Sequence, residues 1–142
     1  LFATGYTTPE LVAGDPTGQG DVTQTHVRWR TRRGVPAKPS PVSDGKLVYM
    51  ISDDGIISAV SLGDGSTLWR KRLGGTYSAS PLLSGENVFI GNHEGKLTIF
   101  RTGGTYQEVN DVDFGEQIMA SPVPLDKDLL IRTKNAVYRF KG

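Results

Sequence analysis

The stretch Ser40–Leu73, SPVSDGKLVYMISDDGIISAVSLGDGSTLWRKRL, decides the fold. Its opening Ser40-Pro41 returns at Ser80-Pro81 and again at Ser121-Pro122, offsets of 40 and 41 residues. Other landmarks keep the same step. Gly45 falls on Gly85, and Asp54-Gly55 on Glu94-Gly95 and then on Lys134-Asn135. Trp29 falls on Trp69, and position 109 then holds Val109. The chain is therefore read as a repeat of about forty residues. The last copy is one residue shorter between its Pro and the glycine equivalent. That predicts a tighter first hairpin there, with Asn135 standing in for glycine at a positive φ.

Within a copy, alternation of side chains marks short strands. In KLVYMIS, Leu47, Tyr49 and Ile51 point one way and Val48 and Met50 the other. Both faces are apolar, so the strand is sandwiched. NVFIG and DLLI follow the same rule. Inner strands are predicted at Ala37–Val42, Ser78–Leu83 and Ile118–Val123, each containing its Ser-Pro. Next strands are predicted at Lys46–Ser52, Asn87–Gly91 and Asp128–Arg132, then at Ile56–Leu62, Lys96–Arg101 and Ala136–Phe140. Outer strands are predicted at Ser66–Arg72 and Thr105–Val112, the former anchored by Leu68 and Trp69. The first copy retains Leu1–Gly5, Glu10–Ala13 and Gln24–Thr31 and lacks an inner strand. Frequent Asp-Gly pairs supply tight turns, and no long 3.6-period stretch predicts a helix.

Four-stranded units of this length, apolar on both faces, describe the blades of a β-propeller. Proline in an inner strand fits an unpaired edge that faces a central channel. The expected architecture is all-β, a partial ring of about 3.5 blades in one domain spanning 1–142. Blade boundaries are expected at 1–34 (incomplete), 35–75, 76–115 and 116–142 (incomplete). Apolar LFATGY at the start reads like mid-strand, and the chain stops at Lys141-Gly142 after a third strand. Both suggest a C-terminal piece of a longer protein whose last blade is closed by a borrowed strand. An unfilled ring leaves apolar faces open, which predicts aggregation or pairing with a second copy.

Gly-His and Trp-Asp signatures are missing from every copy, which disfavours a WD40 propeller. The positions of Gly74-Gly75 and Gly103-Gly104 disfavour kelch. Ser-Pro, the Val48-Tyr49 hairpin, Ala59, Gly65 and Trp69 together resemble the pyrroloquinoline-quinone-like repeat family. Ser61 and Asp64 depart from the family's usual Asp and Thr. Within that family, GDVTQTHVRWRTRRGVPAKPSP is similar to the propeller of the bacterial outer-membrane assembly lipoprotein. The resemblance implies a periplasmic or exported location.

Composition narrows the function classes. Sixteen basic and fifteen acidic residues leave +1, which argues against nucleic-acid binding. No cysteine is present, so disulfides, cysteine metal sites and the family's vicinal cysteine pair are excluded. No apolar run is long enough to cross a membrane as a helix. Quinone enzymes of the family require pyrroloquinoline quinone, a calcium ion held by converging oxygens, and a catalytic carboxylate. Inner-strand residues Lys38, Ser40, Ser78, Ser80, Gln117, Met119 and Ser121 include no acid, and Asp53, Asp54 and Glu94 sit in turns where such residues are expected. No catalytic residue, cofactor site or metal site is therefore expected in this chain. His26 and His93 are isolated, without a second ligand at metal spacing.

One charge cluster stands out, RWRTRR, with Arg28, Arg30, Arg32 and Arg33. It reads either as a solvated outer strand that resists edge pairing or as a basic rim for an acidic partner. Together with Lys38, Tyr77 and His93 near the channel mouth, these residues are the candidate partner contacts. The leading functional reading is a non-catalytic scaffold that binds a protein or peptide. The alternative is part of a quinone-dependent dehydrogenase whose site lies mainly in blades outside this sequence.

Overall fold

The computed structural model describes residues 2–4, as backbone, and residues 7–142. Leu1 and Gly5, the ends of the first predicted strand, lie outside the described residues. Regular structure among the described residues is entirely β. The strands are β1 (Phe2–Thr4), β2 (Glu10–Gly14), β3 (Val27–Thr31), β4 (Val42–Ser43), β5 (Leu47–Ile51), β6 (Ile56–Ser61) and β7 (Thr67–Arg72). They continue as β8 (Leu82–Ser84), β9 (Asn87–Gly91), β10 (Lys96–Arg101), β11 (Gln107–Asp113), β12 (Val123–Leu125), β13 (Asp128–Arg132) and β14 (Val137–Phe140). Four antiparallel sheets follow one another along the chain: β1-β2-β3, β4 to β7, β8 to β11, and β12-β13-β14. No strand crosses from one sheet to another. The chain is a partial β-propeller, and the sheets are called blades one to four below.

Flat blades stack through side chains that alternate along each strand. Val48, Met50 and Val60 of blade two pack against Leu11, Ala13 and Trp29 of blade one. From the opposite face, Tyr49, Ile51, Ile57 and Ala59 meet Tyr77, Val88, Ile90 and Phe100 of blade three. Leu97 of blade three joins Ile118 and Ile131 in the third interface. Full burial of one such side chain contributes roughly 1.5–3 kcal/mol, so these interfaces carry most of the stabilisation.

Two polar links recur between neighbours, and a third ties each connector to its own blade. The amide of Ser40 donates to the Ser80 hydroxyl, and the amide of Ser80 to the Ser121 hydroxyl, both at 2.9 Å. Trp29 Nε1 donates to the Leu62 carbonyl of blade two at 3.0 Å, and Trp69 Nε1 to the Gly103 carbonyl of blade three at 2.9 Å. The connectors also bind the glycine turns: Leu73 N–H donates to Gly55 O at 2.8 Å, and Phe114 N–H to Gly95 O at 2.9 Å.

Several sequence expectations need correction. Each Ser-Pro precedes the inner strand and does not lie within it, because β4, β8 and β12 begin at Val42, Leu82 and Val123. Proline has no N–H to give, and the serine amides of blades two and three are committed to the next blade. The first hairpin of the last copy keeps its length, and its positive-φ residue is Asp126, at φ 53°. The missing residue is in the second hairpin, where Thr133 N–H donates to Ala136 O across Lys134-Asn135. Asn135 therefore replaces no positive-φ glycine. Outer strands bulge at Arg28, Leu68 and Val109, which the pairing skips. Trp29 stands opposite Ala13, Trp69 opposite Ala59, and Asn110 opposite Ile99. The true third equivalent of the tryptophans is thus Asn110, not Val109. Leu68, a bulge residue, is exposed and lies outside the core that Trp69 joins.

A methyl group on Gly95, at φ +90°, would sit 2.7 Å from the Glu116 carbonyl, whereas one on Gly45, at φ +89°, would meet nothing within 4 Å. Gly95→Ala is expected to lower urea-unfolding stability by about 3 kcal/mol and Gly45→Ala by about 1 kcal/mol, because only the first adds a clash to the backbone strain.

Candidate binding site at the channel mouth

The second-to-third-strand turns and the connectors between blades meet on one side of the sheets. There the repeat places an inner-segment residue beside a turn residue. Lys38 Nζ lies 3.7 Å from Asp53 Oδ1. One period later the Ser78 hydroxyl lies 2.8 Å from His93 Nε2. One more period brings Met119 and Lys134 to the lining of a cavity of about 180 Å³, with Gln117 and Arg132. The same two slots thus carry an ion pair, a hydroxyl–imidazole pair, and a thioether beside an ammonium. Met119 is half exposed, at 53%.

The carboxylates here are turned into the scaffold. Asp53 Oδ2 accepts the Ala37 amide at 2.7 Å. Both oxygens of Glu94 accept the Thr76 amide, at 3.2 and 3.1 Å. Glu116 Oε2 accepts the Thr133 hydroxyl at 2.6 Å and the Asn135 amide at 3.2 Å, and these bonds hold its pKa below the usual value. Each acid serves its own turn or connector. No group of three or more His, Asp or Glu residues converges among the described residues. Calcium needs several converging oxygens, so the donors here do not fit the calcium–quinone site of the dehydrogenases.

Of the candidate contacts, the structure brings Lys38 and His93 to the mouth. Tyr77 is not available: it is 1% exposed, in the core between blades two and three. Burial pushes its hydroxyl up to about 12, against a lowering hydrogen bond with Asn92. Arginines of the cluster lie elsewhere in blade one, Arg28 and Arg30 on β3 and Arg32 and Arg33 just after it. Arg28 pairs with Asp15 at 2.9 Å, Arg30 with Glu10 at 2.9 Å, and Arg32 with Glu10 at 3.1 Å. Three of the four thus share two carboxylates, Asp15 and Glu10, so the cluster keeps a net positive charge. Sequence reasoning passed over Arg132 and Lys134, and it did not choose Ser78 or Met119. The offset of 40 and 41 residues from Lys38 was the signal that could have found those last two.

Residues 7–138 match the family model described as "Outer membrane protein assembly factor BamB". The chain belongs to the BamB family. BamB from Moraxella catarrhalis superposes with a TM-score of 0.76 at 21% identity, over 98% of this chain and 41% of that one. A europium-containing methanol dehydrogenase gives 0.58 at 18% identity, over 78% of this chain and 22% of the enzyme. The quinohemoprotein alcohol dehydrogenase ADHIIG from Pseudomonas putida HK5 gives 0.60 at 14%, over 73% of this chain and 19% of the enzyme. At these identities the solved structures share the fold with the chain, which spans about two fifths of the BamB structure. No curated protein sequence matches it. No helix of the described residues is long and apolar enough to cross a membrane.

Turn acids lead to an expected acid sensitivity for this BamB-family chain. Hydrogen bonds from the Thr17 hydroxyl and amide, aided by Arg28, hold Asp15 at about 2, and those from Ser66 hold Asp64 at about 2. Burial would raise Asp44, but the amides of Leu47 and Lys46 and the Tyr49 hydroxyl outweigh it and leave the group lowered. A carboxyl depressed on folding contributes stability above its unfolded pKa of about 4 and loses it as pH falls through the folded value. The urea midpoint is expected to hold steady from about pH 7 to pH 5 and to fall steadily from about pH 4 to pH 2. Because the groups are largely solvent-exposed, the decline should weaken in high salt.

Proposed function

We infer that this chain is part of a scaffold that holds a protein or peptide partner at the channel mouth. The observation that carries this is the division of labour within the repeat. Positions that join blades largely hold the same residue types from copy to copy: serine before proline in all three, glycine at the second-to-third-strand turn in two of three, and tryptophan in two of three outer strands. The mouth slots at Lys38, Ser78 and Met119, and at Asp53, His93 and Lys134, occupy equivalent places in the repeat and change their chemistry. A repeated set of positions with varied side chains suits recognition of a specific partner. An exposed methionine beside Arg132 and Lys134 suits a segment with an apolar residue flanked by acids.

Membership of a family described by outer-membrane protein assembly supports this reading and an exported, periplasmic setting. The dehydrogenase reading draws on the fold shared with quinone enzymes. It is the weaker one here, since the acids at the mouth are spent on backbone amides. Further blades, of the same protein or of a second copy, would cover the free face of blade four, where Val123, Leu125 and Val137 are exposed.

A photo-crosslinking residue at position 38, 93 or 119, in the protein expressed with its natural export route, should give one shared adduct, while position 68 on the outer rim should not. Met119→Asp should suppress the adduct formed from positions 38 and 93. Adducts from position 68 alone, or quinone- and calcium-dependent dye reduction by the purified protein, would contradict the scaffold reading.

A further inference from the structure

One outer-strand position is charged in blades one, two and three. In two of them it has a partner of opposite sign. Arg30 stands opposite Val12 and pairs with Glu10 at 2.9 Å. Asp111 stands opposite Thr98 and pairs with Lys96 at 2.8 Å. In both cases the counter-ion lies two residues before the cross-strand neighbour, at the start of β2 and of β10. Blade two keeps the charge and loses its counter-ion. Arg70 stands opposite Ser58, and the start of β6 holds Ile56 where Glu10 and Lys96 would be. Among the described residues no carboxylate pairs with Arg70.

The surroundings of Arg70 are built of donors. Ser58 shares the blade-one face of β6 with Val60, and the Arg70 guanidinium lies against the connector that follows β3. A methyl group on Gly34, at φ +72°, would come within 3.1 Å of Arg70 Nη2 and 3.5 Å of Ser58 Oγ. Glycine therefore keeps side-chain atoms out of the space that these two groups share. Ser58 is 0% exposed. Its Oγ and Arg70 Nε are both buried without a hydrogen-bond partner among the described residues. Buried donors left unmatched are costly, and a guanidinium fork fits the paired oxygens of a carboxylate or phosphate. Arg33, exposed beside Gly34, takes no part in the ion pairs of the cluster and adds positive potential. The walls are β6, β7 and the connector after β3, in an interface with both blades present.

We propose that Arg70 and Ser58, beside Gly34, form an anion site in the joint between blades one and two that takes one small oxyanion, a carboxylate or a phosphate. The oxyanion does for Arg70 what Glu10 does for Arg30. The Arg70 guanidinium and the Ser58 hydroxyl donate to it. Only the folded joint presents these donors together, so the bound oxyanion stabilises the folded protein. This site is separate from the mouth, and its failure would leave the scaffold reading untouched.

In the ¹⁵N-labelled full-length protein, the Arg70 Nε–Hε signal is identified by its loss in Arg70→Lys. It would be followed during titration with sodium phosphate and, separately, sodium acetate, at constant pH and ionic strength. At least one salt should shift it saturably and raise the melting temperature. Tighter binding of phosphate marks an inorganic oxyanion site, and tighter binding of acetate a carboxylate site. Ser58→Ala should weaken the bound anion about tenfold, the loss of one hydrogen bond to a charged group. Ile56→Glu supplies the carboxylate from within, as in blade one. It should raise the melting temperature without added oxyanion and abolish the response to both salts. If Glu at position 56 prevents folding, Arg70→Met, which keeps the stem and drops the fork, should abolish the salt-dependent rise. Non-saturating shifts with both salts would show an adventitious ion only and overturn the site. So would unchanged affinity in Ser58→Ala, or a thermal response that survives Arg70→Met.

Discussion

Everything in this chain depends on sheets pressed face to face at a fixed spacing. A single blade is too small to bury its own apolar surface, because both sides of β5 and of β9 are apolar. Each blade therefore needs a neighbour on both sides. Apolar packing supplies the energy but is indifferent to small rotations and slips. The serine amide–hydroxyl bonds at the inner end and the indole–carbonyl bonds at the outer end remove that freedom. Between blades two and three they act at opposite ends of the same interface, so together they set both the distance and the angle there.

The aromatic cluster between blades two and three shows what a completed interface looks like. Trp69 lies within 6.2 Å of Tyr49, 5.9 Å of Phe100 and 5.5 Å of Tyr106, mostly in tilted or edge-on geometry. Tyr49 adds a further link, accepting the Gly103 amide and donating to Asp44, both at 2.8 Å. The interface between blades three and four has no such indole.

The architecture was legible because a forty-residue period in Ser-Pro, glycine and tryptophan can be read by eye, and because alternation in Leu47–Ile51 assigned each residue to the correct face. What could not be read were events of one residue. A bulge at Val109 moves the tryptophan slot to Asn110, and a deletion moves from one hairpin to the next without altering the total length. The serine role was also hidden. A hydroxyl that accepts from a residue forty positions earlier leaves no local signature beyond its own recurrence. At the candidate site, Lys38 beside an inner segment and His93 in a turn lie at the mouth, whereas Tyr77 is buried, because an aromatic next to an inner segment can face the core as easily as the mouth.

Amide hydrogen exchange at Ser40 and Ser80 tests the lateral ladder most directly. Neither residue belongs to a strand, so a blade held only by its own sheet would leave both amides fast. The stacking described here predicts that both are slowed, that Ser80→Ala releases Ser40 selectively, and that Ser121→Ala releases Ser80 selectively. Fast exchange at both in the unaltered protein, or equal release of both by either substitution, would contradict it.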